Sequence, residues 1–418
     1  MNILLKSAKI ADPSNPDHLK KRDILIKDGI IEKIGSNLEV GGRTRVLEIK
    51  NLHVSPGWFD SSVCFGEPGF EERETIENGL LTAARSGFAD IVLNPNTNPL
   101  PDSSSDIVFL KNAARGKATA LHPLGSLTVK GEGTALAELY DMHKAGAVGF
   151  YDFKSPVKNP NLLKIALQYA QNFDGLVCSF PLDVQIATKG IVNEGDVSVR
   201  LGLKGIPALA EELQIARDLY IVEYTGGKLH IPTISTAKAV RMVADAKKKG
   251  LDVSCSVAIH NLFETDESLE EFDTHYKTMP PLRARSDAKA LQKGLKEGVI
   301  DFVTSDHTPV DIEEKRVEFD NAAFGSLGLE SAIGALLGIF DLDTAIGLLV
   351  KGRSRFGLPE PELKEGATAC LSLFDPTETY RFGMEDILST SKNSLFLGKE
   401  LRGKAIGTIN NKQLTIKG

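Results

Sequence analysis

Pro56-Gly57-Trp58-Phe59-Asp60-Ser61-Ser62-Val63-Cys64-Phe65-Gly66-Glu67-Pro68-Gly69 continues an apolar run begun at His53 and is bounded at both ends by Pro-Gly turn punctuation. The run His53–Val63 is the first of eight short apolar runs between about residue 55 and residue 350. The others are Phe88–Asn94, Ala120–Leu127, Ala147–Phe153, Leu176–Phe180, Leu229–Ile234, Val253–Val257 and Asp301–Ser305. Amphipathic stretches separate them, the pattern of βα units around a parallel sheet. The stretch after the sixth run predicts a helix: Ser235 or Thr236 can cap it, Ala239, Val240, Val243 and Ala246 share one face, Lys247–Lys249 sit at the negative dipole end, and Gly250 closes it. Ser286 is read as opening another helix before the eighth run.

Eight such units in one segment predict an α/β fold of the (β/α)8 TIM-barrel type, with chemistry where the strands end; a doubly wound sheet is the structural alternative. The termini read differently. Ile24–Ile34 alternates around Asp28-Gly29, whose positive φ angles suit a two-residue hairpin turn. Ala405–Ile409, an Asn410-Asn411 turn and Gln413–Ile416 repeat the style. The expected organisation is therefore a small β-sandwich from residues 1–54 and 360–418 attached to a barrel over residues 55–359.

Among the 418 residues, 42% hydrophobic and 25% charged, disorder and fibrous classes are excluded. A net charge of −7 argues against a binder of phosphate backbones, so no nucleic-acid partner is expected. The first residues, MNILLKSAKI, do not form a signal peptide, and no apolar run reaches the ~20 residues that span a bilayer. A cytoplasmic protein without a membrane partner is the expectation. Cys64, Cys178, Cys255 and Cys370 are too far apart for a zinc ribbon, and the eight histidines include no pair at metal-binding spacing.

At the ends of the predicted strands the chain resembles the dihydroorotase branch of the amidohydrolase superfamily, whose motif at the first strand is P-G-F-x-D-x-H-x-H-x-R-E-P-G. The resemblance continues through Asn94-Pro95-Asn96-Thr97-Asn98-Pro99, Gly146-Ala147-Val148, Asn193-Glu194-Gly195, Ser235-Thr236, Pro280-Pro281-Leu282-Arg283, Thr304-Ser305-Asp306-His307-Thr308-Pro309 and Gly328-Leu329-Glu330. It implies a hydrolase of cyclic amides in pyrimidine biosynthesis and a homo-oligomer. In such enzymes zinc holds the attacking hydroxide, bringing the pKa of water from 15.7 to about 7, and an aspartate beside it moves the proton.

Carried over residue by residue, the resemblance implies a degenerate metal site. Ser62 and Cys64 stand for the two histidines of the first strand, Phe180 for that of the fifth, and Thr233 for that of the sixth, leaving only the outer His230. Phe153 stands for the aspartate of the fourth strand, with Asp152 beside it; alternation aims the two to opposite sides, and which of them takes the ligand position is open at this stage. Asp306, of the eighth strand, is unchanged. Among substrate positions Asn96 is kept, whereas Gly66 replaces a carboxylate-clamping arginine, Val310 a histidine and Met279 an asparagine.

Asp306 is either a surviving proton shuttle or a strand-end carboxylate bonded to backbone amides. The second is preferred, because a base without activated water has little to act on. Cys64 is read as a buried thiol rather than a nucleophile. His260 and His307 could join Cys64 and Asp306 around a zinc ion, but His307 should point away from Asp306. Three functions remain: a dihydroorotase-like protein without catalysis, a structural or regulatory partner of aspartate transcarbamoylase with no cofactor; an active cyclic amidohydrolase using zinc in an atypical site; or a small-molecule binding protein on the same barrel.

Overall fold

The run His53–Val63, expected as one barrel strand, is two strands meeting at Gly57. In the computed structural model, which describes residues 1–417, His53–Pro56 pairs parallel with Asn2–Ile10 and antiparallel with Leu371–Arg381. Trp58–Val63 instead pairs parallel with Phe88–Leu93. A Cβ at residue 57 would lie 2.6 Å from both Ala89 Cβ and Cys370 Sγ, so only glycine lets the chain pass here from one sheet into the other.

The barrel is a ring of parallel segments. Trp58–Val63, Phe88–Leu93 and Ala120–Pro123 form one arc, and Leu176–Cys178, Lys228–Ile231, Val253–Ala258 and Phe302–Thr304 form the other. The bridges Gly125–Phe150 and Phe150–Val177 join the arcs on one side, and Val63–His307 closes them on the other. The fourth position, expected as a strand over Ala147–Phe153, is thus a short paired segment centred on the bridging residue Phe150, with Val148 N donating to Pro123 O at 3.0 Å and Tyr151 N to Gly125 O at 2.9 Å. The Phe150 amide donates to Leu176 O at 2.9 Å and its carbonyl accepts from Cys178 N at 2.8 Å. Beyond Tyr151 the chain leaves the ring and turns at Lys154, whose φ is +50°.

Helices cover the ring as the apolar periodicity anticipates. Ala237–Lys248 is capped by Thr236, whose hydroxyl accepts from Ala239 N at 3.2 Å, and buries Ala239, Val240, Val243 and Ala246. The helix expected to open at Ser286 begins at Arg285, with Ala284 at the cap, so Ser286 falls inside its first turn.

Both termini enter one eight-stranded sheet, whose strands Asn2–Ile10, Lys21–Lys27, Leu371–Arg381 and Glu400–Asn410 enclose a core of Ile3, Leu5, Ile24, Ile26, Leu371, Leu373 and Ile409. The first hairpin turns at Asp28-Gly29, with φ of +50° and +83°. The second turns at Asn411-Lys412, one residue later than anticipated, because Asn410 still pairs with Gln413. Among the described residues no helix is long and apolar enough to cross a membrane.

Candidate functional site

The mouth of the barrel is organised from Asp60, a buried carboxylate that ties the first strand to the eighth. It accepts from Ser62 N at 3.0 Å and Ser305 N at 2.9 Å, and from the hydroxyl of Thr304. Burial raises its pKa from the ordinary carboxylate value, so these donors are what make it tolerable there. With the strand ends fixed, Asp306 follows in a left-handed conformation, φ +48°, its amide donating to Thr304 Oγ1 at 3.2 Å.

Two donors meet the Asp306 carboxylate. Ser62 Oγ reaches Oδ1 at 3.0 Å, and Lys154 Nζ reaches Oδ2 at 2.9 Å. Asn94 continues the chain, its Nδ2 donating to Ser62 Oγ at 3.0 Å and lying 3.5 Å from Cys64 Sγ. Burial pushes the Cys64 thiol up to about 12, so it is a neutral packing group rather than a thiolate. His260 completes the surroundings: burial pulls its pKa down to about 4, and its Nε2 has no hydrogen-bond partner.

The other positions singled out in sequence are apolar or otherwise engaged. Phe153 packs edge-on to Tyr151, ring centroids 5.8 Å apart, against a cluster that includes Phe180, Cys178 and Phe302. Asp152 points the opposite way and accepts from Thr128 N at 3.0 Å and Thr128 Oγ1 at 2.6 Å. Phe153, not Asp152, is therefore the residue on the inner side. Thr233 is held in a left-handed turn by Ser256 Oγ, 3.2 Å from its amide. His230 lies deeper, with Nδ1 2.8 Å from Ser254 Oγ and its ring stacked on Phe302.

His307 turns away from Asp306, as alternation requires. Its Nδ1 is 3.3 Å from Gly328 N and 3.4 Å from Leu329 N, and its Nε2 is 3.4 Å from Ser389 Oγ. Asn96 donates from Nδ2 to Phe65 O at 3.0 Å, while its Oδ1 is buried without a partner. At Gly66 the loop has closed: Phe70 O lies 1.7 Å from where a Cβ would be, so no longer side chain fits without moving the backbone. Met279 and Val310 lie against apolar neighbours or backbone, Val310 N donating to Asn393 Oδ1 at 3.1 Å.

Lys154 and Asn94 escape a reading based on matches to the family motif, since neither is a ligand there. The available signal was the lysine itself: in Tyr151-Asp152-Phe153-Lys154 it occupies the place of the glycine in the family's Asp-Asp-Gly.

This donor set does not fit zinc. Among the described residues no group of three or more His, Cys, Asp or Glu side chains is placed to hold a metal ion. One oxygen of Asp306 faces an ammonium and the other a hydroxyl, and the nearby thiol is protonated.

The Dihydro-orotase-like family pattern matches residues 52–239. The chain is 38% identical to a dihydroorotase of Pelotomaculum thermopropionicum over 98% of its own length and 97% of that protein's. It is 36% identical to one of Geobacter sp. strain M21 over 98% of each. Among solved structures, the L-hydantoinase of Arthrobacter aurescens superposes with a TM-score of 0.85 at 21% identity, covering 100% of this chain and 96% of that one. The dihydropyrimidinase of Brevibacillus agri NCHU1002 gives 0.81 at 20%, over 100% and 95%. With this full-length similarity and this barrel, the chain belongs to the dihydroorotase family.

Proposed function

We propose that this chain serves pyrimidine biosynthesis as a dihydroorotase-like protein that does not itself hydrolyse or close the ring amide, and that it acts as a structural or regulatory partner of aspartate transcarbamoylase. The observation that carries the loss of catalysis is the 2.9 Å contact between Lys154 Nζ and Asp306 Oδ2, in a mouth where Ser62, Cys64, Phe153, Phe180 and Thr233 take ligand positions. An activated water needs a Lewis acid, and the one retained carboxylate is already engaged by an internal cation. The partnership rests on the family resemblance, as do a homo-oligomeric state and a cytoplasmic location.

A second reading is favoured by the relatives' name: an active dihydroorotase, or a related cyclic amidohydrolase, with an atypical zinc site. It requires Lys154 to withdraw and further ligands to move in. A third use of the barrel, binding a small and less polar molecule beside Phe153 and Phe180 without turning it over, would be revealed by a ligand retained through purification.

Metal content and cyclisation of carbamoyl aspartate, measured on protein free of other dihydroorotases before and after zinc reconstitution, separate the readings. The expected result is neither bound zinc nor turnover, with co-sedimentation of aspartate transcarbamoylase. Stoichiometric zinc with turnover would establish the active enzyme.

A further inference from the structure

We propose that the Lys154 ammonium is the resident cation of the barrel mouth, an intramolecular replacement for a bound metal ion. Phe153 and Asp306 form its seat. The inference rests on the non-catalytic reading of the same site and explains how the mouth remains folded without a metal.

The Asp306 side chain is 2% exposed and that of Lys154 14%. A carboxylate so deeply placed is strongly destabilising unless a countercharge and further donors accompany it. Lys154 provides the charge, Ser62 Oγ the second donor, and Asn94 holds Ser62 in place.

Other cations near the mouth are committed elsewhere. Arg283 binds Asn193 Oδ1 at 2.9 Å and Ile206 O at 2.7 Å. Lys277 is held by the carbonyls of Phe319 and Asp320, and Lys315 by that of Thr274. His260, with its depressed pKa, is neutral at ordinary pH.

The local backbone and neighbours favour this assignment. Lys154 keeps a left-handed φ of +50°, a conformation that L side chains seldom adopt. Its amide donates to Tyr151 Oη at 3.1 Å, which fixes the turn and aims the side chain inward. Its Nζ lies 5.1 Å from the centroid of the Phe153 ring, within reach of a cation–π attraction. The phenyl group at the fourth-strand position, useless to a metal, thus offers a face to an ammonium.

The test compares wild type with Lys154→Met, Lys154→Arg, Lys154→Gly, Asp306→Asn and the Lys154→Met/Asp306→Asn double variant by thermal melting, each with chelator and with zinc. Wild type is expected to melt at the same temperature under both conditions. Lys154→Met should melt at least about 5 °C lower, Lys154→Arg should keep most of the stability, and the double variant should recover much of the loss because both charges are gone. Lys154→Gly should regain stability with ethylammonium chloride, but not with ethanol or with sodium chloride of equal ionic strength.

Unchanged melting of Lys154→Met, or rescue by ethanol and ethylammonium alike, would overturn the proposal. If Lys154→Met does not fold, Lys154→Arg and ethylammonium-dependent refolding of Lys154→Gly decide the matter: failure of both overturns it. Wild-type protein that is metal-free and inactive yet indifferent to Lys154→Met would sink this inference alone. Stoichiometric zinc and turnover in wild type would instead sink the functional reading on which it rests.

Discussion

Two polar networks surround the barrel mouth, and they relate differently to the family motif. One lies under the loops and joins the matching residues Asn193, Ser235, Thr236 and Arg283 to the buried Glu211. Arg283 donates to Asn193 Oδ1, Ile206 O and Ser235 Oγ, while Glu211 accepts from the amides of Ser235 and Thr236, both at 2.9 Å. The other lies at the centre, where Ser62, Cys64, Phe153 and Lys154 depart from the motif while Asp60 and Asp306 agree with it. The framework that shapes the mouth is intact, while at the centre Ser62, Cys64 and Phe153 stand where the resemblance implies ligands. A fold and its chemistry answer to different demands: the first depends on satisfying buried backbone and side-chain groups, the second on a particular set of ligands.

The largest effect should come from breaking the framework. Arg283 and Glu211 are each 2% exposed, so Arg283→Met leaves a buried carboxylate without its cation and should lower stability by about 3–5 kcal/mol, seen as a reduced urea midpoint. A near-neutral result would mean that Arg283 is held for a ligand rather than for the loops.

Next comes acid sensitivity. Burial pulls the His230 pKa down to about 3 from 6.5, so the unfolded chain binds a proton that the folded one refuses. Its contribution to stability is intact above pH 6.5 and is lost as pH falls toward 3. His230→Phe, which keeps the stack on Phe302, should flatten the fall in urea midpoint between pH 6.5 and 4.5, by on the order of 2 kcal/mol. An unchanged pH profile would remove His230 from the account.

Restoring the family's arginine at residue 66 sharpens the contrast from the other side. With Phe70 O 1.7 Å from the added Cβ, Gly66→Arg should destabilise by about 1–3 kcal/mol and create no affinity for carbamoyl aspartate, as calorimetric titration and melting would report. Tight binding by this variant would show that the centre is less altered than its hydrogen bonds indicate. The smallest change is expected at Asn96. Its single donated bond to Phe65 O gives Asn96→Ala an effect of about 1 kcal/mol on melting and none on partner binding.

Much of this was open to a reading of the chain alone. The apolar runs locate the ring, Thr236 and Gly250 bracket a helix, and Asp28-Gly29 sets a hairpin, since these features depend on local periodicity and backbone preference. The departures at Ser62, Cys64, Phe180 and Thr233 are equally visible, because each needs only a comparison with a motif. The break at Gly57 was hidden: it depends on how closely Ala89 and Cys370 approach from other strands. The shortness of the fourth segment around Phe150 was hidden too, for it depends on how two neighbouring segments pair with it from either side.

The order of residues by itself determined the barrel, its terminal sheet and the absence of the expected histidine ligands, all of which follow from patterns within short stretches. Only the tertiary structure decided what fills the space they leave. Lys154 and Asp306 are 152 positions apart, and Ser62 and Asp306 are 244 apart. Closure of the ring brings their polar atoms within 3.0 Å, and burial makes their pairing obligatory.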